Sequence, residues 1–213
     1  MSASNMTAFA PLARVNRCAL LNSKITVLRS AGARLFAVLI LALPLAARAD
    51  GSLIIMDRAQ SHVDIAVKAT LGSFVAHLED FDAAISMDPE SERVGTAAFH
   101  ADLSAVKTGI ADRDHNMIVW LQANEFPQVV FELKGMDRGS DGALTARGRF
   151  QLHGQTHDIS FPVRVTVDRG LAAIDGTASL DTRDFGLPII RFFVLTVDPV
   201  VQVKFHLKGS LAR

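Results

Sequence analysis

The sequence predicts an all-β domain over residues 50–213, a closed antiparallel β-barrel of about eight strands with one short helical insert at about 104–124. Two observations carry that prediction. Eight runs alternate apolar with polar side chains at period 2, the pattern of strands buried on one face and wet on the other. Clusters of Gly, Pro, Asp and Ser separate several of the runs, where chain reversals need them. Such a sheet has two open edges unless it closes on itself, and an eight-stranded barrel has an interior wide enough for side chains or one small ligand. Two sheets packed face to face are the alternative arrangement.

A different kind of segment precedes the strands. Residues 1–49 hold six basic side chains and neither Asp nor Glu. Leu35 to Ala47 is an uncharged apolar run, shorter than the roughly 20 residues that a spanning helix needs. It ends at Ala47-Arg48-Ala49, a small-x-small site. These features predict a cleaved signal peptide over 1–49, with Asp50 as the first mature residue.

In the first strand Val63, Ile65, Val67 and Ala69 alternate with His62, Asp64 and Lys68. The second run, Phe74 to Met87, is longer and less regular, with Phe81 and Ile85 as its clearest apolar points. Ala97, Phe99, Ala101 and Leu103 mark the third, and Val129, Phe131 and Leu133 the fourth. Leu144, Ala146, Gly148, Phe150 and Leu152 follow, then Ile159, Phe161, Val163, Val165 and Val167. Ile174, Gly176, Ala178 and Leu180 form the seventh, and Val201, Val203, Phe205 and Leu207 the last. Turns are expected at Asp88-Pro89, 138–142, His153-Gly154, 168–170 and Asp198-Pro199. Alternation stops between Ser104 and Asn124. There Asp112 is expected to cap a helix from about Arg113 to Ala123, with Met117, Ile118 and Leu121 on one face and Trp120 nearby. Pro127 returns the chain to an extended path.

Charge and cysteine usage exclude several functions. Residues 50–213 carry 16 basic against 22 acidic side chains, a net of −6, so the neutral whole chain hides a basic leader on an acidic body. Dispersed cations on an acidic body give no footprint for a phosphate backbone, which argues against nucleic acid. The one cysteine, Cys18, lies in the leader. The body therefore has no thiol for a disulfide, a nucleophile, a metal ligand or a lipid anchor.

Six motifs in order resemble the YceI-like family of exported lipid-binding proteins, from about Asp57 to Leu211. They are Asp57-x-x-x-Ser61-His62-x-Asp64-Ile65, 102–108 (DLSAVKT), 113–117 (RDHNM), 126–131 (FPQVVF), 148–156 (GRFQLHGQT) and 183–186 (RDFG). The chain departs from the pattern at Ala76 and Leu78, where a Gly and a Phe are usual, and at Asn116-Met117 in place of a leucine. The resemblance implies an extended lipocalin-like antiparallel β-barrel, a periplasmic location, and binding of a polyisoprenoid or similar long apolar chain, quinone-like or lipid.

The residues are compatible with that expectation. The inward rows interleave large side chains with Ala97, Ala101, Ala146, Gly148, Gly176 and Ala178, which either leave a cleft or permit close sheet contact. The expected ligand contacts are Val63, Ile65, Val67, Phe99, Phe131, Phe150, Phe161, Val163, Ile174 and Phe205. Each methylene buried is worth roughly 0.8 kcal/mol, so two or three isoprene units could offset association costs of about 4–15 kcal/mol. Arg113, Arg183 and Phe185 are the candidates for a head-group contact or the mouth. The alternative for both arginines is a structural ion pair with Asp112, Asp114 or Asp184. The apolar run 185–195 reads as a membrane-touching lip, a homodimer surface, or a loop folded over the mouth. As a lip or docking surface it would serve a second function, an interaction module for a membrane redox partner. The histidines are scattered, and His153 and His157 flank a turn, so no metal is expected. With no G-x-S-x-G elbow and no glycine-rich phosphate cradle, neither an enzyme nor a cofactor is expected.

Overall fold

The structure is a computed structural model that describes residues 51–212; the leader read from the sequence lies outside the described residues. The strands are β1 (Ser52–Met56), β2 (His62–Ala69), β3 (Gly72–Leu78), β4 (Asp82–Asp88), β5 (Arg93–Asp102), β6 (Val106–Lys107), β7 (Gln128–Arg138), β8 (Leu144–Leu152), β9 (Gln155–Asp168), β10 (Leu171–Asp181), β11 (Arg191–Phe192), β12 (Leu195–Thr196) and β13 (Val200–Leu211). A single α-helix among the described residues, α1, spans Ala111–Trp120.

The barrel is closed and antiparallel. Its ring runs β1-β4-β5-β7-β8-β9-β10-β13 and returns through β13 to β1. β2 continues β1 along the same side of β13, so β13 pairs with β2 through Gln202–His206 and with β1 through Gly209–Leu211. In the same way β3 precedes β4, and β6 follows β5. The irregular run Phe74 to Met87 is thus one wall of the barrel made of two strands. Its bend falls at 79–81, where the Phe81 side chain turns into the core.

Corners of this kind are built by short polar side chains. Asp57 accepts the amides of Ala59 and Gln60, at 3.0 and 3.2 Å, and so caps a 3-10 turn at Arg58–Gln60 between β1 and β2. The Ser61 hydroxyl donates to the Asp57 carbonyl and accepts the Lys208 amide from β13. Asp102 likewise accepts the Ser104 amide and caps the 3-10 turn at Leu103–Ala105.

Two irregularities shift the alternation. Met87 pairs with Val94 while Ser86 pairs with Thr96, leaving Gly95 as the extra residue on β5. A second shift between Leu133 and Gly135 on β7 leaves Lys134 over. Each bulge moves the inward row by one position, which turns Val94 and Met136 into the barrel.

The wall between β9 and β10 is only half laddered. Pairing runs from Leu171–Asp168 to Gly176–Val163 and stops one residue short of Pro162. In a two-residue hairpin the flanking pair, here Leu152 and Gln155, exchanges both backbone hydrogen bonds. Counting from it, position 162 would aim an amide hydrogen away from β8 and towards β10. Proline has none, so the ladder ends there.

All the long connections gather at one end. α1 and the 182–199 segment cover the ends of β2, β5, β7, β8 and β10. The helix starts two residues earlier than the sequence suggests and ends three earlier. Asp112 does not cap it; Ile110 occupies that position with no side-chain bond. Asp114 instead accepts both the amide and the hydroxyl of Thr108, tying the first turn of α1 to the strand before it.

Candidate ligand-binding cavity

Two cavities lie end to end in the barrel and share a collar of five wall residues: Val63, Phe99, Phe150, Leu180 and Val203. The inner cavity holds about 130 Å³ and every side chain on its wall is apolar. The outer chamber holds about 900 Å³, within the range of about 300–1,000 Å³ typical of small-molecule sites. Its wall includes the exposed residues Leu71, Ser73, Arg191 and Asp198, so it reaches the surface.

The ten apolar residues expected to meet a ligand all line these spaces. Phe131, Phe161, Val163, Ile174 and Phe205 face the inner cavity, Ile65 and Val67 the outer, and Val63, Phe99 and Phe150 both. The space comes from alanines. Ala97, Ala146 and Ala178 line the inner cavity together with Ala83 and Ala98. The two inward glycines act differently. A Cβ at Gly148 would lie 2.4 Å from the Phe131 ring and one at Gly176 2.3 Å from the Phe205 ring. Those rings occupy the room that the glycines leave, so both glycines allow close packing and do not create the void.

The three polar or mouth candidates separate. Arg113 lines the outer chamber, with its guanidinium 4.4 Å from the centre of the Phe74 ring, a cation–π contact. Arg183 does not reach either space; its Nε donates to both carboxylate oxygens of Asp181 at 2.9 and 3.1 Å, a partner not foreseen among its neighbours. That guanidinium holds the Asp181 carboxyl below its ordinary value. Phe185 is 2% exposed and wedges against Phe150 and His157, with ring centres 5.6 and 5.1 Å apart. It closes the half-laddered wall and lines neither cavity.

The 185–195 run divides in the middle. Leu187 is buried, and it and the chain to Arg191 roof the outer chamber, as in the folded-over reading of this loop. Trp120 fastens that roof to α1 by donating from Nε1 to the Pro188 carbonyl at 2.9 Å. The His153 Nδ1 donates to the Phe185 carbonyl at 2.9 Å, which places its ring hydrogen on that nitrogen. Phe193 and Val194, beyond the roof, stand 94% and 75% exposed.

The expected ligand contacts did not include the roof. Met117, Trp120, Ile189, Ile190, Leu195 and Val197 all line the outer chamber. Their apolar character was visible, but nothing local tells which strand-poor segment folds across which opening.

The Thr108 hydroxyl and amide, with Lys107 and Arg113 nearby, hold the Asp114 carboxyl below its ordinary 3.8. Because the folded value lies below the unfolded one, the tether is complete above pH 3.8 and is lost as the pH falls through the lowered value. A titration followed by NMR should therefore place Asp114 below 3.8. Asp114→Ala should speed hydrogen exchange of the Thr108 amide at neutral pH, and unchanged exchange would contradict this role for the tether.

A closed antiparallel barrel whose apolar interior opens at one end is the build of a lipocalin-like protein. Within that class the chain belongs to the YceI-like family, whose YceI-like domain matches residues 55–209. A UPF0312 protein of Vibrio cholerae is 22% identical over 180 residues, spanning 80% of this chain and 92% of its own. Among solved structures, Burkholderia cenocepacia BcnA superposes with a TM-score of 0.66 at 21% identity, covering 73% of this chain and 99% of that one. A polyisoprenoid binding domain from Saccharophagus degradans, implicated in plant cell wall breakdown, gives 0.57 at 14% identity, covering 76% and 99%. The YCEI protein of Campylobacter jejuni gives 0.57 at 15% identity, covering 65% and 85%.

Proposed function

We propose that this protein binds a polyisoprenoid or similar long apolar chain, quinone-like or lipid, and carries it through the periplasm without altering it. The observation that carries the reading is the two-compartment interior, wholly apolar at its inner end and open at its outer end. A chain that threads the collar removes its methylenes from water at roughly 0.8 kcal/mol each, and needs no polar recognition inside. A head group would remain in the outer chamber, where Arg113 and Arg191 are the cations on the wall. Arg113 is preferred for this contact because the cation–π contact already holds its guanidinium in place. The polyisoprenoid binding domain of S. degradans supports the choice of ligand class. The leader's composition supports export and cleavage before Asp50.

Native mass spectrometry of freshly purified protein tests this directly. The expected spectra show a chain beginning at Asp50 with an added apolar species that organic solvent extracts. Repeated preparations with no such species, and no uptake of added long-chain quinone, would overturn the proposal. Trp120, the chain's single tryptophan, lines the outer chamber, so its emission provides a second readout of filling.

A further inference from the structure

Two neighbouring hairpins at the rim of the outer chamber end in apolar turns. Thr70-Leu71 joins β2 to β3, and Phe193-Val194 joins β11 to β12. Backbone bonds stitch them side by side: the Thr70 amide donates to the Thr196 carbonyl at 2.9 Å, and the Asp198 amide to the Lys68 carbonyl at 2.8 Å. Leu71, Phe193 and Val194 are 70%, 94% and 75% exposed.

These tips oppose ordinary turn chemistry. Two-residue hairpin turns favour Asn, Asp and Gly, which accept positive φ. Phe193 sits there with φ of 52°, a left-handed conformation unfavourable for a bulky side chain, in a residue that is largely exposed. A sequence that accepts both backbone strain and apolar exposure in one residue departs from local rules in the way functional sites do.

We propose that the paired tips insert into the surface of a lipid bilayer, so that the outer chamber opens against the membrane. This deepens the carrier reading above and rests on it. Three further observations select a bilayer as the occupant. Leu71, Arg191 and Leu195 line the chamber as well as the rim, so the tips continue the cavity wall. Each apolar tip has an exposed cation near its base, Lys68 beside one and Arg191 beside the other. That is the arrangement of a shallow interfacial anchor with basic residues at head-group depth; Asp198 is the acid on the same rim and accepts the Val200 amide. Three side chains at roughly 150–250 Å² or less each also fall short of the ~800 Å² per partner that a stable dimer buries.

Flotation of the purified protein with vesicles of phosphatidylcholine, alone or mixed three to one with phosphatidylglycerol, tests the proposal. The wild type should float with both and more strongly with the anionic mixture. Leu71→Ser/Val194→Ser should lower vesicle association about tenfold or more. Phe193→Gly should do so too while leaving thermal stability equal or higher, because glycine relieves the left-handed strain; its loss of docking is then not misfolding. Arg191→Gln should cost about fivefold on the anionic vesicles only. Phe193→Gly, which lies off the wall of both cavities, should still take up ubiquinone from detergent micelles but extract it from vesicles more slowly. A wild type that ignores both vesicle types, or variants that float as it does, would overturn the proposal. So would a wild-type dimer, seen by sedimentation, that the variants lose while flotation is unchanged. Failure to take up ubiquinone from micelles would strike the carrier reading instead, and flotation would still decide the docking.

Discussion

Val203→Trp should weaken binding of a long isoprenoid chain by about a hundredfold or more while leaving a single-isoprene probe within roughly threefold. Val203 belongs to the collar shared by the two compartments, and on its flanking strands it faces the small residue Ala178 and also Ile65. An indole there fills the passage and confines the ligand to the outer chamber. If about four methylene-sized groups lose their place in the inner cavity, the cost is about 3 kcal/mol, or roughly two hundredfold in affinity. Isothermal titration with chains of increasing length checks the effect. The wild type should gain affinity with each added unit until the inner cavity is full, and the variant should reach its plateau earlier. Equal length dependence in both proteins would mean that the chain does not thread the collar.

A large stability effect is expected at Gly148. A Cβ there would meet the Glu132 carbonyl oxygen at 2.4 Å as well as the Phe131 ring. A ring can swing aside, but a backbone carbonyl within the β7–β8 ladder cannot. Gly148→Ala should therefore cost about 3 kcal/mol, at the upper end of overpacking effects, and lower Tm by roughly 6–12 °C for a domain of this size. Gly176→Ala provides the contrast. All its close contacts are with the Phe205 ring, which can yield towards the inner cavity that it lines. Its stability cost should be smaller and its loss of ligand affinity larger. Thermal unfolding and ligand titration of the two variants together separate packing from cavity volume, and equal unfolding temperatures would refute the backbone clash.

The contrast between these glycines illustrates what the sequence makes legible. Period-2 alternation identified the inward rows because it is a local property of each strand, and the ten expected lining residues all face the interior. β1 escaped notice for the same reason. Only Ile54 of Ser52–Met56 is buried, while its neighbours Leu53 and Ile55 are apolar yet 60% and 63% exposed, so no alternation shows. Val94 and Met136 were hidden by bulges that slip the pattern by one. The family motifs carried a different kind of information. Asp57, Ser61, Asp102 and Asp114 hold corners, and Gly148 admits a ring, so the shared residues mostly fix the barrel's shape. That is why they identify the fold better than the ligand. Arg183 drew attention through such a motif and proved to brace its own turn. The roof over the outer chamber depends on contacts between residues far apart in sequence, such as Trp120 with Pro188, which no local pattern encodes.

Pro162 gives the container an unequal seam. From 163 to 168 β9 is joined amide to carbonyl with β10, whereas beyond Pro162 the ladder is absent and Phe185 wedges nearby against Phe150 and His157. The wall is thus hooped at its base and left without backbone rungs beside Ile159, Phe161, Ala178 and Leu180, where it borders the inner cavity.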